Sequence, residues 1–155
     1  MVMRDRKKTG AVEMPEEAAD QDFHLEGHRV LIAEDVDINA EIIMDILEME
    51  GVECERAGNG QVAVDMFGDS DEGYYDAVLM DIRMPVMDGL TATAALRAME
   101  RADAKTIPII ALTANAFDED VNNSLEAGMN THLSKPVEPE KLYSVLSELI
   151  HNNER

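Results

Sequence analysis

At 155 residues, 45% of them hydrophobic, the chain is long enough for one compact domain with a proper core and too short for two of ordinary size. Its 13 basic residues against 33 acidic ones leave a formal charge of -20, which repels phosphate backbones and anionic lipid and argues against nucleic-acid binding or direct membrane contact. The single cysteine, Cys54, excludes an internal disulfide framework and a Cys-based metal site, and no apolar run reaches the roughly 18 residues of a membrane span or resembles a signal-peptide core. The expectation is a reducing, cytoplasmic setting, with room for a membrane anchor in a longer parent chain.

Residues 1–27 carry a basic cluster (Arg4, Arg6, Lys7, Lys8), then Pro15 and acids, with no sustained hydrophobic period, and read as a linker or disordered tail. The domain is expected over residues 28–153, where short apolar runs alternate with amphipathic segments, the signature of a wound α/β unit. Val30–Ala33, Ala77–Met80 and Ile109–Leu112 are continuously apolar, as central parallel strands buried on both faces should be. Val52–Glu55 alternates and Thr131–Ser134 is half polar, as edge strands tend to be. The pattern predicts a flavodoxin-like, doubly wound α/β fold with a five-stranded parallel sheet in the order 2-1-3-4-5 and about five helices.

Helical spacing is clear in Ile42/Ile43/Ile46/Leu47, Ala92/Ala95/Leu96/Met99, Phe117/Val121/Leu125 and Leu142/Val145/Leu146/Leu149, and weaker from Gln61 to Phe67. Asp37 or Asn39 can cap the first helix, and Gly128 sits where the helix around Leu125 has to stop. Methionines such as Met44, Met66 and Met99 read as gap-filling core, and Cys54 as a small buried side chain.

In an open parallel sheet, ligands bind beyond the carboxyl ends of the strands. Glu34 and Asp35 follow the first strand, Asp81 ends the third, Thr113 the fourth, and Lys135-Pro136 follows the fifth. Three carboxylates, a hydroxyl and an amine at successive strand ends form a coherent site for a divalent cation and a phosphoryl group. Magnesium takes octahedral oxygen coordination, usually from one or two carboxylates, waters and phosphate oxygens, and Asp35 and Asp81 can supply such ligands.

The segments Val30–Asp35, Leu79–Gly89, Ala111–Ala116 and Leu133–Pro136 resemble those of response-regulator receiver domains in two-component signalling, over about Arg29 to Ile150. The wording of the second and third is most similar to receivers of hybrid histidine kinases, which would make Phe23–Gly27 the end of a linker from a kinase core. The resemblance implies that Asp81 is the phosphoacceptor, taking its group from phosphohistidine on a kinase core or a histidine phosphotransfer protein. It implies Mg2+ held by Asp35 and Asp81, by Glu34 through water, and by the backbone carbonyl of Arg83. Lys135 would pair with one phosphoryl oxygen, the Thr113 hydroxyl would donate to another, and the Lys135–Pro136 bond would be cis. Thr113 and His132 would then form the switch in a domain that is monomeric in isolation and at most a slow autophosphatase.

Two positions depart from the family pattern. His132 stands where Tyr or Phe is common, and Arg83 stands where many receivers carry Met or Asn, which leaves the acyl phosphate lifetime open. His24, His28 and His151 show no metal-ligand spacing. A phosphatase similar to haloacid dehalogenases needs an acid two residues after its nucleophile, and that position is Arg83. A flavin module would need a Gly-rich or Ser/Thr-rich cradle after the first strand, where acids stand instead. Within the receiver reading, a hybrid-kinase receiver comes first and a stand-alone single-domain regulator second.

Overall fold

The computed structural model describes residues 22–114 and 119–153. Five parallel strands stand in the order β2-β1-β3-β4-β5. They are β1 (Arg29–Ala33), β2 (Glu53–Ala57), β3 (Ala77–Asp81), β4 (Ile109–Thr113) and β5 (Thr131–Ser134). Every residue of β3 and β4 is buried, whereas β2 and β5 are mostly half-buried or exposed, so the apolar runs and the alternating runs sort to the centre and the edges as expected.

Among the described residues, six helices surround the sheet: α1 (Asp37–Glu48), α2 (Gly60–Asp69), α3 (Gly89–Arg97), α4 (Ala102–Thr106), α5 (Glu119–Ala127) and α6 (Pro139–Asn153). The two faces carry separate cores. Leu31, Val78, Met80, Ile109 and Ala111 point to one, where they meet Phe67 of α2 and Leu96 of α3. Val30, Ile32, Leu79, Ile110 and Leu112 point to the other, where they meet Ile43 and Leu47 of α1 and Leu142, Leu146 and Ile150 of α6. This strict alternation of strand residues between two apolar layers is what forces helices onto both sides.

Several local expectations are corrected. The helix beyond the expected five is α4, a single turn too short to carry a hydrophobic period. Helix α1 begins at Asp37 with Val36 in the cap position, so neither Asp37 nor Asn39 caps it and no side-chain cap forms, since valine has no acceptor; the Val36 N–H itself donates to the Glu34 carboxylate at 3.1 Å. Leu125 is 50% exposed, so the apolar stripe of α5 does not extend to it. Phe117 lies outside the described residues, as does the side chain of Val121. Cys54 is half-buried, and burial pushes its thiol up to about 12. Met44, Met66 and Met99 pack at the margins of the two cores. Gly128 follows α5 with φ of 115°, a left-handed stop that a glycine adopts without cost.

Phe23 and Leu25, within the stretch read as linker, are buried in the second core. The Phe23 ring lies 5.4 Å from that of Tyr143, and the Ser147 hydroxyl donates to the Phe23 carbonyl at 2.7 Å, so this segment is seated on α6. Among the described residues, no helix is long and apolar enough to cross a membrane.

Candidate functional site

Parallel register brings the carboxyl ends of β1, β3, β4 and β5 level with one another: Ala33 pairs with Met80, Asp81 with Leu112, and Thr113 with Ser134. The residues just beyond these pairs line one cavity of about 250 Å³, formed by Glu34, Asp35, Val36, Asp81, Ile82, Arg83, Leu112, Thr113, Ala114 and Lys135. The structure therefore brings together Glu34, Asp35, Asp81, Arg83, Thr113 and Lys135. His132 does not line the cavity; it is half-buried on β5 opposite Ala111.

Backbone contacts fix the frame. The Lys135 N–H donates to the Thr113 carbonyl at 2.8 Å and the Ile82 N–H to the Leu112 carbonyl at 3.2 Å, while the Lys135–Pro136 peptide is cis. The connection after β3 folds back tightly enough that the Gly89 N–H donates to Ile82 at 2.8 Å, and a Cβ at Gly89 would lie 2.2 Å from the Asp81 carbonyl oxygen. Only glycine permits that approach. Asp88 caps α3 by accepting from the Thr91 N–H at 2.8 Å.

The charges converge closely. Lys135 Nζ lies 2.9 Å from Asp81 Oδ2 and 3.0 Å from Glu34 Oε1, and the Arg83 N–H donates to Asp81 Oδ1 at 3.3 Å. One carboxylate oxygen each of Glu34, Asp35 and Asp81 falls within a common span of 4.8 Å. Glu34 is fully buried and Asp81 is 6% exposed. Burial first, and the Glu34 charge next, push the Asp81 carboxyl above its ordinary value although Lys135 pulls the other way. Burial alone would lower the Lys135 ammonium, but its hydrogen bonds to Asp81 and Glu34, together with their charges, hold it above its usual value.

The donor set suits a hard divalent cation: oxygen ligands only, three carboxylates against one ammonium. Asp35 supports this, because among the described residues it makes no hydrogen bond or ion pair although it is half-buried. One contributor had no motif to announce it. Arg56 on β2 reaches the back of the β1–α1 connection, where its Nε and Nη2 donate to the Glu34 carbonyl at 3.0 and 2.8 Å. An arginine on an edge strand carries no sequence signal of that role.

Comparisons with known proteins agree with this arrangement. Hybrid signal transduction histidine kinase I of Dictyostelium discoideum is 39% identical over 124 residues, covering 79% of this chain and 7% of that protein. Osmosensing histidine protein kinase SLN1 of Saccharomyces cerevisiae is 39% identical over 132 residues, covering 83% of this chain and 11% of that protein. The chain thus spans only a small part of these relatives. The crystal structure of the receiver domain of sensor histidine kinase PA1611 from Pseudomonas aeruginosa PAO1, with a magnesium ion coordinated in its active site cleft, superposes with a TM-score of 0.74 at 39% identity, covering 81% of this chain and 98% of that one. Residues 30–147 match the family profile described as response regulator receiver domain, and the chain belongs to that family.

Proposed function

We propose that Asp81 accepts a phosphoryl group from a phosphohistidine and that the domain relays the signal by phosphotransfer or by binding a partner. The observation that carries this reading is the buried Asp81 carboxylate, held 2.9 Å from Lys135 within the span of Glu34 and Asp35. An Asp81 oxygen attacks phosphorus in line, the O–P bond forms, and the P–N bond breaks with its electron pair returning to the imidazole nitrogen. Lys135 follows the charge onto a phosphoryl oxygen and the Thr113 hydroxyl donates to another. Asp35, Asp81 and the Arg83 backbone carbonyl would hold Mg2+, with Glu34 acting through water; the bound ion supplies neutralisation of the phosphoryl charge. Thr113 and His132 carry the change outward from the site.

The donor is a histidine kinase core or a histidine phosphotransfer protein, and the setting is cytoplasmic. Exposed Val36 on the cavity lining, exposed Ile38 and Ile42 of α1, and the groove that Ile42 lines with Ile43, Pro136 and Val137 give such a partner an apolar footing. Residues 1–27 lead as a linker into the receiver proper at 28–153, with Phe23 and Leu25 at its end seated on the domain, and the likeness to hybrid kinases supports a position within a hybrid kinase. The charge of -20 argues against nucleic acid as a partner.

Incubation with acetyl phosphate and magnesium should add one base-labile phosphate, read by intact mass, and Asp81→Asn should abolish it. Equal phosphate on the variant rejects Asp81 as the acceptor.

A further inference from the structure

Asp35 has no side-chain partner among the described residues, so its direction is set by the backbone on either side of it. Ahead of it, the Glu34 N–H donates to the Ala57 carbonyl at 3.1 Å, and the Glu34 carboxylate takes the Val36 N–H. Behind it, the Glu34 carbonyl receives both Nε and Nη2 of Arg56 at 3.0 and 2.8 Å, and the remaining Arg56 Nη1 donates to Asp37 Oδ1 at 2.7 Å, the first residue of α1. The guanidinium plane therefore spans Asp35, fastening the residue before it and the residue two after it. We propose that Arg56 is a positioning residue for the metal site, clamping the Glu34–Asp37 connection so that the Asp35 carboxylate is presented for coordination.

This rests on the reading of Glu34, Asp35 and Asp81 as a magnesium site. Two effects of Arg56 oppose each other. Its positive charge close to the acids weakens attraction for any divalent cation, whereas its hydrogen bonds reduce the freedom of the connection. Asp37 is 86% exposed, so that arm of the clamp is screened and contributes little; the fork on the Glu34 carbonyl is the stronger arm. Magnesium demands near-ideal octahedral geometry and calcium tolerates distortion, so loss of positioning penalises Mg2+ more than Ca2+, whereas loss of charge favours both alike.

The test is calorimetric titration of the folded protein with magnesium chloride and, separately, calcium chloride, on the parent, Arg56→Met and Arg56→Lys. Circular dichroism melts in chelator establish that each variant is folded at the assay temperature. Arg56→Met should weaken Mg2+ binding by about tenfold, the scale on which residues behind metal ligands act, and Ca2+ binding by clearly less. Arg56→Lys retains the charge and a single donor nitrogen in place of the fork and should fall between Met and the parent; it carries the comparison if the Met variant melts too low. Unchanged or tighter Mg2+ binding, or equal losses for the two ions, overturns the clamp while leaving the magnesium reading intact. A parent that binds no Mg2+ overturns the magnesium reading itself.

Discussion

The two ends of the sheet treat charge in opposite ways. Where the strands begin, and along the neighbouring edge of β2, ionisable groups are matched. Arg29 pairs with Glu53 at 2.7 Å and covers the Tyr74 ring at 4.1 Å, His28 Nδ1 lies 3.0 Å from Asp76, and the hydroxyls of Tyr74 and Tyr75 both donate to Glu55. Where the strands end, three carboxylates gather around one ammonium that pairs with only two of them, Glu34 and Asp81. The first end is balanced within the domain itself, and the second is consistent with a ligand that brings positive charge.

The contrast extends to the backbone, where the largest effect is expected. A Cβ at Gly89 meets the Asp81 carbonyl at 2.2 Å, whereas one at Gly73 meets nothing within 4 Å and faces only the strain of φ at 83°. Gly89→Ala should cost at least about 3 kcal/mol in urea unfolding, because the obstacle is main chain. Gly73→Ala should cost only about 1–2 kcal/mol. Equal losses would show that the two ends are equally tight.

Next comes the response to magnesium. A ligand that binds only the folded state adds about 2.7 kcal/mol at a hundred times its dissociation constant, so the melting temperature should rise well beyond the effect of matched monovalent salt. Because the balance of burial and charge on Asp81 disfavours its ionised form, Asp81→Asn should melt higher than the parent in chelator, by about 1 kcal/mol of stability, and gain less from magnesium. A variant that melts lower in chelator yet responds to magnesium like the parent would separate the acids from any common metal site.

The smallest effect tests the contrast through pH, in chelator. The Asp81 carboxyl is raised above 3.8 in the folded state, so its ionisation costs stability, and that cost disappears as pH falls through the raised value. The Glu55 carboxyl is held below 4.5, by the Tyr74 hydroxyl first and then that of Tyr75, so its contribution is present above 4.5 and lost as pH falls through the depressed value. Asp81→Asn should therefore be more stable than the parent at neutral pH, with the gain shrinking before pH reaches 3.8. Glu55→Gln should be less stable by under about 1 kcal/mol, given its partial exposure, and that loss should persist to lower pH. Matching signs at the two positions would remove the distinction between the ends.

Strong periodic signals were legible in the sequence: the apolar runs that became central strands, and the polar residues at their carboxyl ends that meet in one cavity. Asp35, Asp81, Thr113 and Lys135 could be placed because strand ends in a parallel sheet share a level. The features that escaped depend on single long-range contacts. Arg56 lies 22 positions from the carbonyl it holds, and Phe23 lies 124 positions from the Ser147 hydroxyl that donates to it. The missing side-chain cap on α1 is a local matter instead: the chain puts Val36, which has no side-chain acceptor, at the cap position, and the Glu34 carboxylate two residues earlier takes its N–H. The exposure of Leu125 shows the reverse case, an apolar residue in helical spacing that the packing does not use.

The seating of Phe23 and Leu25 on α6 has a mechanical consequence. Asp22, the first described residue, lies just ahead of the pole where the strands begin, while the Asp81 carboxylate sits at the other pole, about 16 Å away for a five-residue strand. A force applied at that point therefore acts on the domain from behind, and rotation about it sweeps the cleft along the outer arc of the movement, with the cleft facing away from the pivot.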